Sequence, residues 1–364
     1  MSGGMTAKQS FPHNVCLGFV LPAISWLTAC SALHVIALML LALSLPPPAF
    51  AGRNFGGAVS ISGDVLVIGA QYANSTPSTS GAAYVYERNG ESGKWERTAK
   101  LLPSDAETLA YRFGVSVSVS GDIIVVGSDS RSTPGGDPVG AAYVFVKPGG
   151  GWSGTLAEDA RLTAWGAAAF SDFGSSVSVA GSTVVVGAHG ADGERGAAYV
   201  FVEPAGGWSG ALTQDAKLIS SAFGAYSRFG NSVAVSGDTV VVGAESEDAV
   251  DVNSGAAYVF VEPGGGWSDV RTENAKLLAT DTVAHDELGA SIAISGSAIV
   301  VGATGNAGAH GDSGSAYVFV EPAGGWSGTL SEDAKLIGPD AFWLDSFGHA
   351  SAISGDTVVV GHHD

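Results

Sequence analysis

The pair Phe55-Gly56 returns as Phe113-Gly114, Phe173-Gly174, Phe229-Gly230, Leu288-Gly289 and Phe347-Gly348, at steps of 58, 60, 56, 59 and 59 residues. A period of this length confines the chain to an array of one small structural unit. Two further markers keep the same beat. Tyr84, Tyr143, Tyr199, Tyr258 and Tyr317 each lie in Gly-Ala-Ala-Tyr-Val, or in Gly-Ser-Ala-Tyr-Val for the last, and Trp95, Trp152, Trp208, Trp267 and Trp326 follow them. Five whole units and one that stops at Asp364 are expected.

Within a unit the hydrophobic period is two. Val115-Ser116-Val117-Ser118-Val119-Ser120 alternates apolar and small polar residues, as a strand with one face on a core does. Gly121-Asp122 then separates it from Ile123-Ile124-Val125-Val126, and such a Gly-X pair suits a tight hairpin. A third strand carries the Tyr, and a fourth follows the Trp, as in Ala160-Arg161-Leu162 and Ala216-Lys217-Leu218. Apolar runs such as Val240-Val241-Val242 suit strands buried on both faces. Four short antiparallel strands per unit predict an all-β fold, a β-propeller with five complete blades and one partial blade. A β-sandwich is the alternative; a helical solenoid would need stripes of period 3.6, which are absent.

Phe-Gly, an alternating strand, Val-Val-Gly-Ala and Gly-Ala-Ala-Tyr-Val-Phe together resemble the FG-GAP repeat of the integrin α-subunit β-propeller. The resemblance covers residues 55–364. It implies an extracellular propeller used for adhesion or ligand binding. Many such repeats carry a calcium loop of the Asp-x-Asp-x-Asp-Gly kind between strands one and two. Here that place holds only Gly63-Asp64, Gly121-Asp122, Gly181-Ser182, Gly237-Asp238, Gly296-Ser297 or Gly355-Asp356. Calcium is therefore not carried over, and no cofactor or metal site is expected.

The first 51 residues are of another kind. No Asp, Glu, Lys or Arg lies between Lys8 and Arg53, residues 35–45 are apolar apart from Ser44, and Ala49-Phe50-Ala51 follows three prolines. This reads as a hydrophobic helix that is either a signal peptide cleaved after Ala51 or an uncleaved membrane anchor. Both readings place residues 52–364 outside the cytoplasm, secreted or at the cell surface, with membrane contact only through an uncleaved leader. Cys16 and Cys30 both lie in the leader, so the repeats contain no thiol and no disulfide. Sixteen Lys and Arg against 35 Asp and Glu leave a net charge of −19, which repels a phosphate backbone and argues against nucleic acid.

Function in a repeat scaffold is sought where the repeat varies. The variable stretches follow Val-Val-Gly (residues 71–80, 128–139 and 245–254) or precede Phe-Gly (residues 163–172 and 279–287). Candidate ligand-binding residues are Glu245, Glu247, Asp248 and Asp251 in one acidic loop, Asp281 and Asp286 in the next link, and the non-repeating aromatics Trp165, Tyr226 and Trp343. The competing reading gives the acids to a solvated rim and the aromatics to packing between units. Asn74-Ser75-Thr76 is a glycosylation sequon. The repeating Trp reads as hairpin packing and the strand serines as packing choices. No histidine sits in a motif with a nucleophile and a carboxylate.

The expected function is an extracellular binding or adhesion module without catalysis, its partner a protein or a glycan on the variable face. The alternatives are a secreted propeller-scaffold hydrolase or lyase, and a purely structural envelope protein. The sixth unit supplies two strands only, and residues 52–54 are too short to complete it, so self-association through its unpaired edge is expected.

Overall fold

The computed structural model describes residues 15–18, 54–73, 80–105, 112–130, 139–166, 170–222, 224–306, 313–338 and 345–363. Six sheets of mostly antiparallel strands make up the described residues, and helix is confined to one turn at Ala191–Glu194. Unit two shows the plan. Val117–Ser120, Ile123–Ser128, Ala141–Val146 and Ala160–Thr163 pair in sequence order, each antiparallel to the one before. The four strands are those the period-two pattern predicts.

A fifth strand in the sheet was not legible in advance. The segment after the Trp leaves its own unit and pairs, parallel, with the outer strand of the preceding unit. Gly154–Leu156 lies on Trp95–Leu101, Gly210–Thr213 on Ala160–Thr163, Asp269–Arg271 on Ala216–Leu218, and Gly328–Ser331 on Ala275–Leu278. Each of these segments is a latch from one unit to the one before it.

Consecutive units meet face to face, and their shared surface is the core. Val125, Val144, Ala160 and Leu162 of unit two pack with Phe173, Val177, Val184, Val186 and Phe201 of unit three in one cluster. Equivalent clusters join units one and two, three and four, and four and five. The central strands are buried along their whole length, as a sheet covered on both sides requires. The Phe-Gly pair sits in this joint. Phe173 stacks edge-on against Phe201 of its own unit, while its N–H donates to the Val139 carbonyl of unit two.

The alternating serines do more than fill space, which corrects their reading as packing choices. The innermost strands of neighbouring units lie side by side in separate sheets, and the hydroxyls bridge them. Ser116, Ser176, Ser232 and Ser291 donate to the carbonyls of Gly174, Gly230, Gly289 and Gly348 of the next unit at 2.7–2.9 Å. Ser60, Ser118 and Ser178 accept the N–H groups of Val119, Val179 and Val235. A third set, Ser62, Ser120, Ser236 and Ser295, accepts the turn-glycine N–H of the unit that follows. A polar residue at every second position thus ties each unit to the next, and in the joint itself it gives the carbonyls of Gly174, Gly289 and Gly348 a donor that they would otherwise lack.

The N-terminal hydrophobic helix expected over residues 1–51 lies outside the described residues except at Val15–Gly18, which form a strand. That strand pairs antiparallel with Thr357–His363, so the edge of the sixth unit that was expected to be unpaired carries a segment of the same chain. Asn74 and Trp343 also lie outside the described residues.

Candidate functional site

In an antiparallel unit the turn between strands one and two and the hairpin between strands three and four share one end. The connection between strands two and three and the link to the next unit share the other. The described candidate residues therefore lie at the same, variable end of the array.

The acids at that end are largely spent on the protein itself. Tyr258 and Lys276 face each other across strands three and four, and Glu247 reaches back to both: the Tyr258 hydroxyl donates to Oε2, and Lys276 Nζ lies 2.7 Å from Oε1. Glu247 is buried, and burial beside this carboxylate drives the Tyr258 pKa strongly upward. Unit five repeats the arrangement with Tyr317, Lys335 and Asp281 at 2.8 and 2.6 Å, unit two with Tyr143, Arg161 and Asp105 at 3.1 and 3.4 Å. In unit three Lys217 binds Asp192 at 2.6 Å and lies over the Tyr199 ring. Sequence reading missed these clusters because their acid has no fixed place: Glu247 and Asp192 come from the connection after strand two, Asp105 and Asp281 from the link before strand one. The Tyr and the Lys or Arg opposite it do keep the period, and that pairing was the available signal.

Asp286 is buried as well. Its Oδ2 accepts the Val283 N–H and the Asn306 amide, both at 2.7 Å, Oδ1 has no partner among the described residues, and burial raises its pKa. Asp248 and Asp251 cap their own loop by accepting the N–H groups of Asn253 and Val252. Glu245 pairs with Arg228 at 2.7 Å and with Asn231 at 3.1 Å. Of the acidic candidates, Glu247 and Asp286 are thus withdrawn from solvent, because each neutralises or orders a neighbouring element.

The aromatics behave in the opposite way. Trp165 is 81% exposed and Tyr226 65%, which does not agree with the competing reading of packing between units. Phe170, which sequence reading passed over among alanines, is 68% exposed and stands three residues before Phe173-Gly174, the same place Tyr226 holds before Phe229-Gly230. Both adopt left-handed backbone, φ 62° and 64°, and His285 at the equivalent place has φ 66°. The residue that follows fixes this conformation: the buried Ser171 and Ser227 donate to the carbonyls of Val139 and Arg195 at 2.9 and 2.8 Å. A left-handed aromatic costs energy that glycine would not. Neither ring contributes to a core in return. The repeating Trp side chains, by contrast, are buried, in keeping with hairpin packing.

One constellation was not visible in the sequence. His189 Nδ1 lies 3.1 Å from Ser175 Oγ, and Nε2 lies 3.3 Å from Asp172 Oδ2. The same three places hold Arg228, Asn231 and Glu245 in unit four, with Arg228 and Asn231 both on Glu245. In unit two Arg112 pairs with Asp129 at 2.9 Å. The positions form a polar clamp that keeps complementary partners while the residue types change.

The turns between strands one and two, at the other end, do not fit calcium. The two-residue turns between strands one and two offer one side chain each, and Asp238 already accepts the Thr239 hydroxyl at 3.0 Å. Among the described residues no group of three or more His, Cys, Asp or Glu is placed to hold a metal.

The fold and the variable end define an all-β repeat protein of the propeller-type binding-module class. The chain belongs to the FG-GAP repeat family, which matches it six times, at residues 48–86, 95–145, 156–201, 212–260, 271–319 and 330–364. No curated protein matches the chain.

Proposed function

We propose that this protein is an extracellular binding module of β-propeller construction, secreted after cleavage behind Ala51 or held at the cell surface by its leader. Its partner, a protein or a glycan, docks on the variable end, and no reaction is catalysed. The observation that carries this reading is the display of Trp165, Phe170 and Tyr226 in solvent, two of them on left-handed backbone. Strain of that kind persists where the surroundings impose it and collects at functional sites. Glu245, Asp248 and Asp251 stand on the same end and would frame the contact.

The test is a glycan array and a secretome pull-down with the wild type and with the combined variant Trp165→Ser, Phe170→Gly, Tyr226→Gly. Glycine relieves the left-handed backbone, so this variant folds. Loss of at least tenfold in affinity is expected. Unchanged binding, or equal loss on replacing Asp122 and Asp238 at the opposite end, rejects the assignment.

Self-association belongs to the same reading. Cleavage after Ala51 would remove Val15–Gly18 and leave the edge of Thr357–His363 to a second copy. Light scattering of residues 52–364 beside the full chain tests this, and a strict monomer in both rejects it.

The Ser175–His189–Asp172 arrangement favours a second reading, a hydrolase. Covalent labelling by a fluorophosphonate that disappears in Ser175→Ala would support it. Absence of labelling leaves the clamp as a purely structural device.

A further inference from the structure

Units two to five each hold a carboxylate beside the Tyr and the Lys or Arg of strands three and four, and unit one keeps the place without the acid. Tyr84 and Lys100 stand opposite each other as Tyr258 and Lys276 do in unit four. The loop that delivers Glu247 also keeps its backbone. Ala73 N–H donates to the Ala70 carbonyl at 2.9 Å and Gly81 N–H to the Ala73 carbonyl at 3.2 Å. In unit four Glu247 N–H donates to Ala244 at 3.1 Å and Gly255 N–H to Glu247 at 2.9 Å. Asn306 holds this place in unit five with the same two bonds, and its amide oxygen accepts from Lys335 Nζ at 2.7 Å. A side chain there reaches the ammonium, but the methyl of Ala73 offers no acceptor. The links that bring Asp105 and Asp281 to units two and five have no counterpart either, because no Asp or Glu stands among residues 1–63 or 65–86.

The electrostatics of unit one differ accordingly. Arg97 lies over the Tyr84 ring, 5.8 Å from its centre, where Lys217 and Lys276 lie over Tyr199 and Tyr258. Burial raises the Tyr84 pKa while the Arg97 charge opposes the rise, and burial and Arg97 together lower that of Lys100. In units three, four and five the charge felt by the tyrosine is a carboxylate instead. Two cations thus share one face of unit one, Lys100 half-buried and Arg97 exposed, with no carboxylate among the described residues acting on Tyr84 or Lys100. A cation partly withdrawn from water and left uncompensated favours an anion from outside.

We propose that Tyr84, Lys100 and Arg97 form a cradle for an Asp or Glu side chain of a partner polypeptide, held as Glu247 is held in unit four. The filled copies argue for a polypeptide, since each is occupied by an acid carried on a loop or link. The phenol and the ammonium donate to the carboxylate, and the exposed guanidinium adds a planar fork for its second oxygen. A net charge of −19 repels an acidic segment from most of the remaining surface, which confines such a contact to the cradle. The inference rests on the binding reading above and names an acidic polypeptide as the partner at the variable end, yet it shares no residue with the exposed aromatics.

Titration calorimetry of the full chain with the end-blocked peptide Ala-Ser-Glu-Ser-Ala, which carries one carboxylate between small residues, tests the cradle. Saturable single-site binding is expected, weakened at least about tenfold by Gln in place of the peptide's Glu and by Lys100→Gln in the protein. Ala73→Glu should supply the carboxylate from within, abolish peptide binding and raise the unfolding temperature. Absence of binding, equal affinity for the Glu and Gln peptides, or undiminished binding by Ala73→Glu overturns the proposal. Tighter binding of glucuronate than of the peptide overturns the assignment to a polypeptide. The two peptides are compared on the unaltered protein, so the test stands even where Lys100→Gln does not fold. The combined variant Trp165→Ser, Phe170→Gly, Tyr226→Gly should bind the peptide as the wild type does, which keeps failure of the cradle distinguishable from failure of the aromatic contact.

Discussion

A Cβ on Gly127 would overlap the carbonyl oxygen of Gly174, although the two residues belong to different units. The strands of neighbouring units touch backbone to backbone at this point. The same overlap awaits Gly69, Gly187, Gly243 and Gly302 against the Phe-Gly glycine of the unit that follows. At Gly361 in the sixth unit a Cβ would meet only Ala350, at 3.6 Å. Gly127→Ala should therefore destabilise the protein by about 3 kcal/mol through overpacking, and Gly361→Ala should be close to neutral. Urea unfolding midpoints of the two variants check the contrast, and similar midpoints would mean that the joint yields.

The hydroxyl bridges predict a graded series. Ser116→Ala and Ser176→Ala each leave a glycine carbonyl in the joint without its donor, and each should cost about 1 kcal/mol. The double variant should be additive, as the sites are a full unit apart. In unit one the equivalent place is Ala58. Ala58→Ser should supply the missing donor to Gly114 and raise stability by up to about 1 kcal/mol, read from the same unfolding curves.

Glu247 and Lys276 form a pair in which the carboxylate is nearly inaccessible, 4% exposed, at 2.7 Å from the ammonium. Removing one partner of such a pair leaves the other charge without compensation. Glu247→Ala should cost about 3 kcal/mol or more, whereas Lys147→Ala should cost about 1 kcal/mol or less, because its pair with Glu87 is only partly buried and reached by solvent. Thermal unfolding of both variants decides this, and equal losses would contradict the burial argument.

Alkaline pH should destabilise the fold through the tyrosines. Burial, with the Asp192 charge nearby, pushes Tyr199 from the usual value near 10 up to about 12. The folded state then holds the phenol proton more tightly than the unfolded chain does. Stability from this group is full below about pH 10, is lost as pH rises, and is gone by about 12, a loss of about 3 kcal/mol. Tyr258 and Tyr317 are shifted further in the same direction. Phenolate absorbance followed against pH, with unfolding measured at each point, should show the tyrosines ionising together with unfolding. Free titration of Tyr199 in the folded protein near pH 10 would refute the burial effect.

The sequence alone determined the unit, its count and its strands. Period-two alternation and Gly-X turns are local signals, so Val117–Ser120 and Ile123–Ser128 could be read from a dozen residues, and the return of Phe-Gly set the joints. The common end of Trp165, Tyr226 and the acidic loop was legible too, because antiparallel order dictates it. What only the tertiary structure decided depends on groups about 50–60 residues apart: Ser116 meets Gly174, Glu332 grips Thr280, and Gly328–Ser331 leaves its own unit for the one before. A repeat makes every unit look self-contained, yet each sheet is covered and extended by its neighbour. That is why Ser116 proved to be a bridge between units and Gly328–Ser331 a strand of its neighbour's sheet. Such contacts are settled by which unit packs on which, a quantity that no single repeat encodes.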